Sequence, residues 1–261
     1  LEIPLHLLHE KRDGIAWLTM NRPERRNAIS PEMLVRLRDA WRDFRDDSDT
    51  RVAVLTGAGD KAFCAGADIK LLIPLFTGAR QPENEWDEAL LADREALNSG
   101  LLRDFELYKP VIAAVNGFAL AGGTEILQAT DIRIACPEAT FGLSEAKRGI
   151  IPAGGSLVRL QRQIPFAKAM EILLTGDPMS AEEAHRKRLC PFRDALARCR
   201  RGSARVHGEA QARLHGPLDE VPLPDRGADA RVQGAVPSRP SASRTVRAIS
   251  SAAFGVSRAS S

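Results

Sequence analysis

Two glutamates stand where this chain could move protons. Glu125 closes the stretch Val111-Ile112-Ala113-Ala114-Val115-Asn116-Gly117-Phe118-Ala119-Leu120-Ala121-Gly122-Gly123-Thr124-Glu125, in which an apolar strand-like run enters a glycine pair and then an apolar helix-like run. Such a turn leaves N–H groups free and aims the positive end of a helix at one point, where a developing oxyanion would be stabilised. Glu145 ends Thr140-Phe141-Gly142-Leu143-Ser144-Glu145, ahead of a second glycine-rich turn, Gly149-Ile150-Ile151-Pro152-Ala153-Gly154-Gly155. A carboxyl among small and apolar residues has its pKa raised and can hold a proton to donate. A third segment, Phe63-Cys64-Ala65-Gly66-Ala67-Asp68-Ile69-Lys70, sets small residues after a strand, so the backbone can approach a ligand closely. Each feature also has a plain reading. The small residues suit a tight turn, the glycine pair suits close helix packing, and a glutamate is favourable in any first helical turn. Glu145 reads equally well as a surface carboxylate or a partner of Lys147 or Arg148. The residues alone leave both readings open.

The elements that must position these groups are legible as an α/β pattern up to about His185. Leu5–His9 and Ile15–Met20 read as strands joined by Lys11-Arg12-Asp13-Gly14. Ser30-Pro31-Glu32-Met33 opens a helix, with serine as N-cap and proline in the first helical position, and Met33, Leu37, Ala40, Trp41 and Phe44 give it one apolar face. Val52–Leu55, Val111–Val115 and Ile132–Ala135 are short buried strands. Phe166–Leu174 is a helix stopped at Thr175-Gly176-Asp177-Pro178, and Ser180-Ala181-Glu182-Glu183 is a capping box for another. Repeated two-strand-then-helix units are the expected organisation. Gly57-Ala58-Gly59 lacks the third glycine of a dinucleotide fingerprint, and no GK[ST] follows to make a phosphate loop.

The 261 residues carry a net charge of +3, but unevenly. Residues 1–185 hold 22 Lys+Arg against 28 Asp+Glu, whereas 186–261 hold 15 against 6. The four cysteines, Cys64, Cys136, Cys190 and Cys199, form no CxxC pair; the five histidines show no HxxxH spacing, so no metal site is expected. Cys64 and Cys136 lie in apolar runs and read as buried thiols. No apolar run approaches the ~18 residues of a membrane span, and Leu1-Glu2-Ile3-Pro4 has no signal-peptide character, so a soluble cytoplasmic protein is expected. After Arg186 the apolar periodicity is lost: Leu, Ile, Val and Phe supply 14 of the last 76 residues, and arginine supplies another 14. Three readings fit this basic, low-complexity segment. It is a tail for nucleic acid or acidic lipid, a stretch without designed structure, or the product of a shifted reading frame. The last is preferred over a nucleic-acid tail, because Arg, Ala, Gly, Pro and Ser are what GC-rich codons yield out of frame. Codons allowed for Lys187-Arg188-Leu189-Cys190, read one base later, permit Asn-Gly-Phe-Val.

Taken together and in order, the segments resemble the crotonase (enoyl-CoA hydratase/isomerase) superfamily over about residues 5–185. The likeness begins with Asn21-Arg22-Pro23-Glu24-Arg25-Arg26-Asn27-Ala28-Ile29, similar to the family's opening motif. It implies a crotonase-like spiral of β-β-α units as the core, 1–185, with the usual C-terminal helical part not recognisable in 186–261. It implies an acyl-coenzyme-A substrate, no separate cofactor, and a homotrimer or hexamer where the C-terminus is normal. By match to the motif, the N–H groups of Ala67 and Gly122 would hold the thioester oxygen. Ala65, Ala67, Asp68, Ile69, Lys70 and Gly122 would line the coenzyme-A path, and the CAGAD turn would meet the adenine end. Two carboxylates at the matching positions, Glu125 as base and Glu145 as acid/base at Cα, imply an enoyl-CoA hydratase. The alternatives are another reaction of the family, a dehydratase or isomerase, and a non-catalytic scaffold with a basic tail. Ala153 departs from a common glycine, and the connection Leu71–Tyr108 is longer than usual. That connection is expected to shape the acyl pocket, with Trp86 either lining it or simply packing.

Overall fold

The structure, a computed structural model, describes residues 4–93 and 95–190. The reading of 186–261 as a basic tail therefore lies almost wholly outside the described residues, as does Cys199.

The chain opens with a hairpin, β1 (Leu7–Arg12) antiparallel to β2 (Ile15–Met20). Its first strand starts later and runs further than the apolar pattern suggests, because Asp13 and Gly14 both take positive φ, 54° and 75°, and close a two-residue turn. Helix α1 (Pro31–Asp46) begins as expected, with Ser30 Oγ accepting the N–H of Met33 at 3.1 Å. Its apolar face is buried, Trp41 donating its indole N–H to Gly100 O at 3.2 Å.

Then the repeat sets in. β3 (Val52–Gly57) joins the first sheet, and the short β4 (Ala62–Cys64) starts a second. The helices α2 (Leu72–Thr77), α3 (Glu85–Ala92) and α4 (Ala96–Gly100) form the long connection. β5 (Val111–Val115) and β6 (Phe118–Leu120) repeat the step and lead into α5 (Gly122–Leu127). β7 (Ile132–Ala135) and β8 (Thr140–Gly142) repeat it again, before α6 (Ser156–Gln163) and α7 (Phe166–Thr175). β9 (Met179–Ser180) and α8 (Ala181–Arg186) complete the described part, with Ser180 Oγ capping the N–H of Glu183 as the sequence predicts.

The first sheet runs β1-β2-β3-β5-β7 and the second β4-β6-β8-β9. From β3 on, each two-strand unit gives its long strand to one sheet and its short strand to the other, which is the ββα spiral. Two buried asparagines hold successive turns together. Asn27 donates to Ala58 O and Ala62 O at 3.0 and 2.7 Å, while Asn116 donates to Gly57 O and Gly59 O at 2.8 and 2.7 Å. A buried amide that satisfies backbone carbonyls in this way fixes the loop without a metal or disulfide. This accounts physically for Asn27 in the opening motif. Among the described residues no helix is long and apolar enough to cross a membrane.

Candidate active site

The second sheet decides where the chemistry-bearing segments meet. β4, β6 and β8 are parallel neighbours, paired through Cys64↔Ala119 and Leu120↔Gly142. Their carboxyl ends therefore lie at one edge, and the turn after each enters the same space, the usual place for ligands in a parallel sheet. Ala67 follows β4, Gly122 follows β6 and Glu145 follows β8. Strands of three residues carry too little pattern to be read in a sequence, so this convergence was not visible there.

One cavity of about 360 Å³ is lined by Ala65, Ala67, Ile69, Gly122, Glu125 and Glu145 together. Ile29 bridges to this edge: its N–H donates to Gly66 O and its carbonyl accepts from Asp68 N, both at 2.8 Å. That pairing passes over Ala67, whose own N–H has no partner among the described residues. Gly122 is the first residue of α5, where an N–H has no partner within the helix. The two groups are close, since a Cβ built on Gly122 would lie 3.6 Å from Ala67 N. Gly66 makes room for them. Its φ is +91°, and a Cβ there would stand 3.1 Å from Gly122 N and 2.9 Å from Leu120 O. Ala121 precedes the helix at φ 51°, ψ −125°, a backbone region that strains an L side chain.

Glu125 is 4% exposed and Glu145 7%. Burial pushes Glu125 above the usual carboxylate range, opposed by the N–H groups of Ser156 and Gly154 and by the charge of Arg103. The Ser156 N–H donates to Oε1 at 3.1 Å. Burial pushes Glu145 up to about 7; its own backbone N–H opposes this and the nearby Glu125 carboxylate adds to it. Glu145 Oε2 has no hydrogen-bond partner among the described residues. Glu145 is therefore not a surface carboxylate, and among the described residues it forms no ion pair with Arg148 or with Lys147, which pairs with Asp177 at 2.6 Å. Glu145 stands directly before the 3-10 turn Ala146–Arg148, with no side-chain hydrogen bond to the N–H groups of that turn.

A second hollow of about 360 Å³ adjoins the first and shares Ala65, Ala67, Ile69 and Arg148 with it. Its walls carry Arg22, Arg25, Lys70 and Arg148 against one acid, Asp68. Asp68 lines the hollow as expected of it and is itself held by several donors. Its Oδ2 accepts from Arg22 Nη1 at 2.9 Å, and its Oδ1 accepts the N–H groups of Lys70 and Leu71 at 3.0 and 3.2 Å. Burial pushes that carboxyl up, but these donors outweigh it and hold it below the usual range. Arg25, Lys70 and Arg148 have no acidic partner among the described residues, so the hollow is a basic mouth. None of the three arginines was singled out from sequence as lining a site, although Arg22 and Arg25 lie inside the opening motif.

The long connection lines the cavity with Leu72, Ile73 and Phe76 from α2 and Leu97, Asn98 and Leu101 from α4 and its end. Trp86 is elsewhere: the Arg36 guanidinium lies 4.5 Å from its ring, and the neighbouring Asp87 pairs with Arg80 at 2.6 Å. Its packing reading holds. Cys64 and Cys136 are buried thiols, as expected. Among the described residues no cluster could hold a metal ion.

The profile of the family described as enoyl-CoA hydratase/isomerase matches residues 10–190. The enoyl-CoA hydratase EchA19 of Mycobacterium tuberculosis is 46% identical over 177 residues, covering 68% of this chain and 64% of that protein. The (E)-benzylidenesuccinyl-CoA hydratase of Thauera aromatica is 42% identical, over 68% of this chain and 65% of that protein. The match thus spans slightly less than two thirds of these relatives' length. Among solved structures, a carnitinyl-CoA hydratase from Mycobacterium avium superposes with a TM-score of 0.67 at 35% identity, covering 81% of this chain and 74% of that one.

Proposed function

The chain belongs to the enoyl-CoA hydratase/isomerase family, and we propose that it adds water across the α,β double bond of an acyl-CoA thioester. The observation that carries this reading is the pair of buried glutamates in one cavity with the unused N–H groups of Ala67 and Gly122.

The thioester oxygen accepts from Ala67 N–H and Gly122 N–H. As the double bond is attacked this oxygen gains charge, and each such donor stabilises the transition state by roughly 3 kcal/mol. Glu125, whose Oε1 already accepts the Ser156 N–H, is the better candidate for the ionised base. It takes a proton from water as the water oxygen bonds to Cβ. Glu145, with its pKa near 7, holds the proton that passes to Cα. The net change is one water added, and exchange with solvent restores both carboxyls. In reverse the same site dehydrates, so microscopic reversibility unites the hydratase and dehydratase readings. The basic mouth of Arg25, Lys70 and Arg148 suits the phosphates of coenzyme A, since guanidinium groups match phosphate oxygens. The path between mouth and glutamates runs over Ala65, Ala67 and Ile69.

The test is the full chain with crotonyl-CoA, following the absorbance of the conjugated thioester. Loss of absorbance in the wild type that is abolished by Glu145→Gln supports the reading. A wild type that leaves crotonyl-CoA and longer enoyl-CoA esters unhydrated overturns it.

A further inference from the structure

The side chains that α1, α2 and α4 give to the cavity are apolar with one exception. Leu34, Leu72, Ile73, Phe76, Leu97 and Leu101 line it, and among them stands Asn98. The backbone carbonyl of Asn98 accepts from Arg103 N at 2.7 Å. Its side-chain amide has no hydrogen-bond partner among the described residues. The position along the cavity is set by its neighbour. Leu101 lies beside the Glu125 carboxylate: a Cβ on Gly154 would be 2.9 Å from Leu101 Cδ1 and 2.7 Å from Glu125 Oε2. Asn98 is three residues earlier on the same helical face, ~4.5 Å along the axis. Asn98 and Glu125 line the same cavity, so an acyl chain held at Glu125 has Asn98 in the space open to its further carbons.

We infer that Asn98 sets substrate specificity by hydrogen-bonding an oxygen borne on the acyl chain beyond the double bond, so that a hydroxyl- or carbonyl-bearing acyl-CoA is preferred over its plain alkyl counterpart. The inference rests on the proposed acyl-CoA reading of the cavity. An alkyl chain filling this space would strip water from the amide and return no hydrogen bond, whereas an oxygen-bearing chain replaces that water. A site with a polar group placed to meet a substrate oxygen discriminates against the analogue lacking it far more strongly than an apolar pocket does. The partner is a neutral oxygen, because the amide of Asn98 is itself uncharged and the residues that line the cavity beside it in the chain, Leu97 and Leu101, carry no charge to meet a carboxylate or an ammonium group.

The test uses the full chain and calorimetric binding of saturated acyl-CoA esters, which need no turnover. Hexanoyl-CoA is compared with its hydroxylated forms at the γ, δ and ε carbons. At least one of these is expected to bind roughly tenfold tighter than hexanoyl-CoA. Asn98→Leu is expected to erase that preference. Equal binding of all the esters by the wild type overturns the inference, whatever the variant does, and so does a preference that survives in Asn98→Leu. Crotonyl-CoA hydration in the same preparations separates the two readings. Hydration without the binding preference rejects Asn98 alone, and the preference without hydration rejects the hydratase alone. Failure to bind any acyl-CoA rejects both.

Discussion

Glu125 and Glu145 share one cavity but differ in their partners: Glu125 Oε1 accepts the Ser156 N–H at 3.1 Å, whereas Glu145 Oε2 is buried with no hydrogen-bond partner among the described residues. A donor N–H favours the charged carboxylate, and an unpartnered oxygen in a dry site favours the neutral acid. The asymmetry separates base from acid within a like-charged pair.

Replacing Glu145 by glutamine keeps the shape of the neutral acid and removes its proton. Hydration of crotonyl-CoA should fall by about 10²–10⁴-fold, the usual contribution of a general acid. Fold and KM should be retained.

The same residue gives stability a pH signature. Its folded pKa of about 7 lies above the ordinary 4.5, so the folded chain binds more protons than the unfolded chain between those values. The Glu145 contribution is therefore fully present below pH 4.5 and lost as pH rises through 7. Melting temperature measured across that window should decline less steeply in Glu145→Gln than in the wild type. Parallel curves would show that Glu145 titrates normally.

Gly154 tests how Glu125 is held. An alanine Cβ there would come within 2.7 Å of Oε2, so Gly154→Ala should push the carboxylate off its line. The expected result is a fall in kcat of about 10²-fold with little change in KM, because a small misplacement of a reacting group is costly in rate. A large rise in KM with kcat intact would place Gly154 in substrate binding instead.

Asp68→Ala leaves the Arg22 guanidinium buried without its partner, the pair's side chains being only 10% and 7% exposed. Breaking a buried pair on one side costs about 3 kcal/mol or more. Urea denaturation should show that loss. Replacing both residues, Arg22→Met with Asp68→Leu, should restore much of it.

Ala121 sits at φ 51° in a conformation suited to glycine. Ala121→Gly should raise stability by about 1 kcal/mol, the relief of strain exceeding the added chain entropy. A lowered melting temperature would show that the Ala121 side chain is needed for packing.

How far the sequence alone carries can be judged residue by residue. It was enough to place the Ser30 cap, the apolar face of α1, the long strands and the glycine turns, because these depend on contacts within a few positions of the chain. The choice of Glu125, Glu145, Ala67 and Gly122 also came from local pattern and ordered motifs. What those motifs could not decide was the surroundings of each group. That Asp68 serves Arg22, that Lys147 turns to Asp177, and that Trp86 faces away from the cavity all depend on partners 30 to 50 residues distant. The three-residue strands β4, β6 and β8 are too short to announce themselves, yet their parallel pairing brings three remote turns to one edge. Local chemistry is written in neighbouring residues; desolvation, and with it the raised pKa of Glu145, exists only once distant segments have excluded water together.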